Sequence, residues 1–278
     1  MYRVIDYTSS NDKFVLTIPS QKQLEGEVQS IPGCLFDKKT KRWAFPANSM
    51  TIKRFFEIAK VYKFTGTKAS KEKTKEILDS SSIVVETPID INFDLINPDK
   101  KLFPFQVDGI KFLIAKKRAF LGDDRGVGKT PQSLLAVASA KAFPCLIVCP
   151  TTLREQWVNE IKDWLPTIKT KVIDAGPISG HLRDFNVMSY SVVWKHLVAL
   201  KHRNIKSIII DESIFIKGRD AQRTRGIVSL VDAIKPEYRY CLNGTPVTNR
   251  PAELIPQLKV IDRLDDLGGH TYFARRYC

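Results

Sequence analysis

The chain has no apolar run of the roughly eighteen residues that a membrane-spanning helix needs, so no such helix is expected. Its start, MYRVIDYTSSNDKF, lacks the apolar stretch and small-residue cleavage site of a secretory signal. Cysteine is scarce: Cys34, Cys145, Cys149, Cys241 and Cys278 are odd in number and form no neat disulfide framework. Cys145 and Cys149 share one short apolar stretch with no Cys or His at ligand spacing, which marks them as core thiols and not zinc ligands. His181, His196, His202 and His270 are scattered, and no pair makes a metal or nucleophile site. These absences point to a reducing, intracellular setting (cytoplasmic, or nuclear in a eukaryote) with no membrane partner.

Acid is also in short supply. Asp and Glu total 30 against 44 Lys and Arg, a net charge of +14 and a pI near 9.5. An excess of that size favours polyanionic partners, nucleic acid before membrane. It is uneven. Residues 1–100 hold 16 basic and 13 acidic side chains, which leaves 28 and 17 for the remainder. Within the first part, residues 38–63 carry eight basic groups and one acid, Glu57. A solvated basic face is the plain alternative to a binding surface there. With 43% hydrophobic and 27% charged residues, the chain is composed like a globular protein, and 278 residues suffice for one large domain or two modest ones.

Residues 1–63 read as a small α+β domain. Val4–Tyr7 and Phe14–Ile18 are short strand patterns around a polar turn, and Gln21–Gln29 has helical character. Cys34–Phe36 and Trp43–Phe45 form a hairpin pattern whose tip, Asp37 to Lys41, is almost entirely charged. Ile52, Phe55, Phe56 and Ala59 recur at helical spacing over Thr51–Tyr62. Residues 64–100 change character: a Lys/Glu-rich stretch at Lys71–Leu78, then Ser80-Ser81-Ser82, then a Pro/Asp-rich extended segment. This composition predicts a linker with at most one short helix.

From residue 101 onward, short apolar runs alternate with helical stretches. Strands are expected at Ala119–Leu121, Cys145–Cys149, Val172–Asp174, Val187–Ser189, Ile208–Ile210 and Tyr238–Leu242. Helices are expected at 130–141, 153–164, 191–200, 221–233 and 251–259. Strands that are apolar throughout and alternate with helices imply a parallel sheet buried on both faces, an α/β fold.

The strongest chemical signal is Gly122-Asp-Asp-Arg-Gly-Val-Gly-Lys-Thr130, which follows an apolar strand and opens a helix. Backbone N–H groups of such a loop make an anion-binding concavity, and the helix N-terminus adds its dipole. Asp123, Asp124, Arg125, Gly126, Val127 and Gly128 would cradle phosphates. Lys129 would reach the β- and γ-phosphates of ATP, and Thr130 would offer its hydroxyl to Mg²⁺. Asp123 stands where the strict phosphate-loop pattern has Gly. The second signal is Ile208-Ile-Ile-Asp-Glu-Ser213, a buried strand ending in adjacent carboxylates. At a sheet's C-terminal edge, Asp211 can hold Mg²⁺ and Glu212 can activate a water. Without the phosphate loop, it would read only as a strand followed by an acidic loop. The third and fourth are Cys241-Leu-Asn-Gly-Thr-Pro-Val-Thr-Asn-Arg250 and, upstream, Leu102-Phe-Pro-Phe-Gln106.

In this order the segments resemble the ATPase motor of SWI/SNF-like helicase-type proteins of superfamily two. Phe103-Pro-Phe-Gln106-Val-Asp-Gly109 resembles the family's Gln motif, which implies that Gln106 reads the adenine edge. Asp123 to Thr130 resembles motif I, whose acidic first position accounts for the missing Gly. Val148 to Trp157 resembles motif Ia, Met188-Ser-Tyr190 motif Ib, Asp211-Glu212-Ser213 with Ile216-Lys217 motif II, and Leu242-Asn-Gly-Thr-Pro246 with Asn249 and Glu253-Leu254 motif III. The resemblance implies a RecA-like lobe over 101–278 and a DNA-dependent ATPase in which Glu212 positions the attacking water. It also implies phosphate-backbone contacts near Thr151, Lys217 and Thr245. Two positions depart from the pattern. Ile214 stands where His is usual, which implies a weaker polar link between ATP site and motif III, and Asn243 replaces the usual Thr or Ser. A complete motor of this kind also has a second RecA-like lobe. Phe273-Ala-Arg-Arg-Tyr-Cys278 resembles a segment just past motif III, so the chain is expected to be part of a longer protein.

The N-terminal stretch Ile31 to Asp37 with Arg42-Trp43-Ala-Phe45-Pro46 resembles the HepA-related (HARP) domain of annealing-helicase proteins, which implies recognition of junction DNA. Lys38, Lys39, Lys41 and Arg42 suit phosphate contacts, and Trp43 is either a stacking platform for a base or a core residue. Two other functions stay open on sequence: an RNA helicase of the same superfamily, and a non-catalytic DNA-binding module with a vestigial nucleotide pocket. Motifs Ia and III argue against a P-loop kinase.

Overall fold

A computed structural model describes residues 3–81 and 89–278. They fall into two compact units, residues 3–81 with Leu264–Cys278, and residues 89–263.

In the first unit, β1 (Val4–Thr8) and β2 (Lys13–Thr17) precede α1 (Lys22–Gln29). The hairpin β3 (Leu35–Asp37) and β4 (Arg42–Pro46) follows, then α2 (Ser49–Val61), β5 (Thr65–Gly66) and α3 (Lys68–Ser81). The sheet order is β3-β4-β2-β1-β5, antiparallel except for β1 with β5. Alternation places Phe14 and Leu16 inward on β2, and Trp43 and Phe45 inward on β4. There they meet Leu24, Val28, Ile52 and Phe55 from the helices. A capping box starts α2: Asn48 Oδ1 accepts from Thr51 N at 3.0 Å, and Asn48 N donates to Thr51 Oγ1 at 3.3 Å.

The expected linker at 64–100 is largely structured. Thr65 N and Thr67 N donate to Arg3 O and Ile5 O, which adds β5 to the sheet edge. The Lys/Glu-rich stretch is a full helix because Ser70 and Ile77, two turns apart, give it one buried stripe. Ile91 lies in the core of the second unit, where Asn97 N donates to Trp164 O. The stretch 82–88, including Ser82 of the expected serine run, lies outside the described residues. A second difference concerns Leu264–Cys278, expected to belong to the lobe at 101–278. Tyr272 OH donates to Ser30 O, Asn48 Nδ2 to Asp265 O, and Phe273 is buried within the first unit. Gly268 packs so closely there that a Cβ on it would stand 2.7 Å from Gly33 N.

The second unit runs α4 (Pro104–Lys116), β6 (Arg118–Leu121), α5 (Lys129–Ser139), β7 (Cys145–Cys149), α6 (Arg154–Trp164) and β8 (Thr170–Ile173). It continues through β9 (Phe185–Ser189), α7 (Tyr190–Lys201), β10 (Ser207–Asp211), α8 (Gln222–Ile234), β11 (Tyr238–Leu242) and α9 (Leu254–Val260), and α10 (Gly269–Tyr277) returns to the first unit. Its six strands are all parallel, in the order β6-β11-β10-β7-β9-β8. The fold is the α/β architecture expected from the alternating pattern. Cys145, Ile147 and Cys149 of β7 pack with α4, α5 and α6, whereas Leu146 and Val148 pack with α7, α8 and α9. Both faces of the central strand are therefore dry, which is why it shows no polar alternation. Burial pushes the Cys145 and Cys149 thiols up to about 12, as befits core residues.

Candidate nucleotide site and nucleic-acid surfaces

Strand register brings the chemical segments together. Leu242 pairs with Leu121 on one side and with Asp211 on the other, so three strands end in one row. Just past that row lie the loop 122–128, the turn from Asn243, and Glu212. Gly244 lies against the loop; a Cβ there would sit 3.4 Å from Asp123 O. The C-terminal edge of a parallel sheet is where such folds bind ligands.

The loop conformation depends on two glycines. Gly126 and Gly128 have φ of +83° and +78°, a region that side chains disfavour. Gly128 is further restricted, since a Cβ would lie 2.4 Å from Gln106 Nε2. Lys129 folds over the loop and donates to Asp123 O and Asp124 O at 2.8 and 2.7 Å. Its ammonium thus faces carbonyl oxygens of the loop itself. Asp123, Asp124, Arg125 and Gly126 are exposed, and Val127 through Thr130 partly so.

Gln106 lies beside the phosphate loop and is held by two backbone partners. Its Oε1 accepts from Phe103 N at 3.0 Å, capping α4, and its Nε2 donates to Val127 O at 3.1 Å. Buried among these partners, the amide braces the phosphate loop. Gln132 braces the same stretch, donating to Gly128 O at 3.2 Å and to Val127 O at 3.4 Å. This residue was missed at the level of sequence. Gly109 is the clue, because a Cβ on it would overlap Gln132 Oε1 at 1.9 Å.

Asp211 is held by two donors. Trp157 Nε1 donates to Oδ2 at 2.8 Å, and Glu212 N donates to Oδ1 at 2.9 Å. Burial raises the Asp211 carboxyl above the usual aspartate value, against the lowering pull of the Trp157 bond. A half-buried carboxylate at a strand end is a hard oxygen ligand that fits a hard cation, and the hydroxyl of Thr130 is the matching donor type. Tyr190 OH donates to Asp211 O at 2.6 Å, and its ring stacks on Phe215. Glu212 sits at φ +48°, which turns the chain sharply into the 3₁₀ turn Ser213–Ile216.

The positions proposed for nucleic acid have distinct surroundings. Thr151 is exposed and lines a groove of about 570 Å³ with Arg154, Glu155, Asn159 and Asp174. Arg154 is paired there with Asp174. Thr245 is exposed, and its N–H donates to Asn243 Oδ1 at 3.0 Å. Lys217 does not stand free: Nζ donates to Thr248 Oγ1 at 2.9 Å and lies 3.6 Å from Glu253 Oε1. In the first unit Lys38, Lys39, Lys41 and Arg42 are all exposed on a tip ordered by Asp37, which accepts from Lys39 N and Thr40 Oγ1. Trp43 is buried at 6% exposure, so it is a core residue, and the exposed ring beside it is Phe36 at 46%.

The SNF2-related domain family matches residues 105–276. The chain belongs to this family. Among relatives, it is 35% identical over 197 residues to the DNA annealing helicase and endonuclease ZRANB3 of Bos taurus, covering 65% of this chain and 18% of that protein. It is 28% identical over 289 residues to the SWI/SNF-related matrix-associated actin-dependent regulator of chromatin subfamily A-like protein 1 of Xenopus laevis, covering 97% of this chain and 28% of that protein. The SWI2/SNF2 ATPase core of Sulfolobus solfataricus, solved in complex with dsDNA, superposes with a TM-score of 0.57 at 25% identity, covering 66% of this chain and 40% of that one. The chain thus spans less than a third of the length of these two curated relatives. Membership of the SNF2-related family implies nucleotide binding by residues 105–276. The Xenopus match also runs through the first unit. Among the described residues, no helix is long and apolar enough to cross a membrane.

Proposed function

We propose that this chain supplies the ATP-binding lobe and an accessory DNA-recognition unit of an intracellular, ATP-dependent DNA translocase that remodels forks or anneals strands. One observation carries the reading: the phosphate loop, the Asn243 turn and the Asp211–Glu212 pair end three adjacent strands in one row. Lys129 would leave its loop carbonyls for the β- and γ-phosphates. Thr130 and Asp211 would hold Mg²⁺, which neutralises charge on the transferring phosphoryl group when bound. Glu212 would orient the attacking water. Thr151 and Thr245 would contact the phosphate backbone from exposed turns, with Lys217 joining only after leaving Glu253. The basic tip at Lys38–Arg42, in the HARP-like unit, would add salt-sensitive contacts to junction DNA.

In such a motor, arginines from a second lobe neutralise transition-state charge, an effect worth about 10³–10⁵ in rate in related phosphoryl-transfer enzymes. The 278-residue chain should therefore bind Mg·ATP but turn it over slowly, and a version extended through a second lobe should show strong turnover with duplex DNA. Lys129→Ala should abolish Mg·ATP binding by titration calorimetry while circular dichroism stays unchanged. Unaltered ATP affinity in that variant would remove the phosphate-loop assignment. Stimulation of the extended enzyme by RNA in preference to duplex DNA would favour the RNA helicase.

A further inference from the structure

The link between the carboxylate pair and motif III does not run through position 214. Ile214 has no polar side-chain atom, yet the two segments are joined by a buried polar path one residue earlier. Ser213 Oγ donates to Gln257 Oε1 at 2.6 Å, and both side chains have zero exposure. Gln257 Nε2 then donates to Pro246 O at 2.9 Å and to Glu253 O at 3.0 Å. Gln257 is the one polar residue among the buried positions of α9, the others being Ile255, Pro256 and Val260. Burying an amide there costs free energy unless its hydrogen-bonding groups are matched, and here both ends are.

We propose that Gln257 is the positioning residue that couples the nucleotide state at Asp211–Glu212 to the motif III turn, in place of a polar side chain at 214. This rests on the function proposed above. Ser213 follows Glu212 directly, so any shift of that carboxylate on nucleotide binding is passed to the Ser213 hydroxyl. Gln257 has no slack: its Oε1 is taken by Ser213 and its Nε2 by two carbonyls. A displaced Ser213 must therefore drag Pro246, and with it the exposed Thr245, or break a buried hydrogen bond. The geometry is a two-ended brace in which each ligand biases the same element.

The test measures linkage and not activity. Duplex-DNA affinity of the 278-residue chain is titrated with and without saturating Mg²⁺ and a non-hydrolysable ATP analogue, with binding of the analogue measured separately. Wild type should show about a fivefold or larger change in DNA affinity on nucleotide binding. Ser213→Ala and Gln257→Met should bring that ratio to about one, with the affinity for each ligand alone changed less than twofold. Ser213→Thr, which restores a hydroxyl, should recover the wild-type ratio. Ser213→Ala removes one oxygen and keeps the experiment decisive if Gln257→Met does not fold. A wild-type ratio of one, an unchanged ratio in Ser213→Ala, or an equal loss of both separate affinities would overturn the proposal. Failure of the wild-type chain to bind the analogue at all is a different result, which removes the function reading itself.

Discussion

Trp157 and Asp211 meet at 2.8 Å, the indole N–H of α6 donating to the carboxylate at the end of β10. The contact ties the helix after motif Ia to the carboxylate expected to face the metal. Trp157 is 2% exposed, so its N–H has no water to fall back on. Replacing it with Phe keeps most of the apolar volume but leaves a half-buried carboxylate oxygen without its donor. The expected cost is about 1–3 kcal/mol of stability, read as a lower unfolding midpoint. Losing that donor should also raise the Asp211 carboxyl further, since the bond favours the ionised form, and weaken Mg·ATP binding. A Trp157→Phe protein with wild-type midpoint and nucleotide affinity would show that the indole only fills space.

The two loop glycines should respond differently to alanine. Both have positive φ, so each substitution carries a backbone penalty of about 1–2 kcal/mol. At Gly126 nothing lies within 4 Å of the added Cβ, and the penalty should end there. At Gly128 the Cβ meets Gln106 Nε2, which must leave Val127 O. Gly128→Ala should therefore destabilise more than Gly126→Ala in urea titrations and lose more nucleotide affinity. Equal effects at the two positions would mean that Gln106 does not brace the loop.

In the first unit, stability and DNA binding should separate. Trp43 is buried in the core, and Trp43→Ala should cost about 3–5 kcal/mol. Neutralising Lys38, Lys39, Lys41 and Arg42 together should leave stability nearly unchanged. It should flatten the salt dependence of junction-DNA binding by about 0.9 for each phosphate no longer neutralised, so by up to about four. A quadruple variant with the wild-type slope would make the tip a solvated face.

The strands and helices of the second unit are legible because their apolar runs alternate over long, regular spacings. The phosphate loop and carboxylate pair are legible because each follows such a strand. What escapes is the set of polar residues that hold these segments in place. Gln132 and Gln257 sit in helices whose remaining buried faces are mostly apolar, and no periodicity announces that Gln132 donates to the loop just before its helix or that Gln257 meets Ser213, 44 positions away. Gln106 is visible as a site residue, but its orientation depends on Val127 O, 21 positions later. The helix α3 is hidden by its charge, because one stripe with Ser70 and Ile77 is enough to seat it. The return of Leu264–Cys278 to the first unit rests on contacts such as Tyr272 with Ser30, 242 positions apart, which no periodicity announces.

Glu253 gives a pH test of the motif III turn. Its Oε2 accepts from Thr248 N at 2.8 Å, from Thr248 Oγ1 at 3.0 Å and from Asn249 N at 3.3 Å, while Lys217 lies near Oε1. The Thr248 backbone bond is the main reason that this carboxyl is held below the usual glutamate value, with the Thr248 hydroxyl, the Asn249 amide and Lys217 adding to it. A depressed folded value means that the unfolded chain takes up its proton first as pH falls. The stabilisation is therefore fully present above the ordinary glutamate value and is lost as pH drops through the folded one. Glu253→Gln keeps the shape but removes the charge, so wild type should be the more stable protein at pH 7. The difference in unfolding midpoint should shrink steadily once pH falls below about 4.5. Protection of the Thr248 and Asn249 amides, taken as the exchange rate relative to that of an unstructured chain at the same pH, should fall over the same range in wild type and stay constant in the variant. A midpoint difference that is the same at pH 7 and at pH 3 would show that the turn is held by shape alone, with no contribution from the ionised carboxylate.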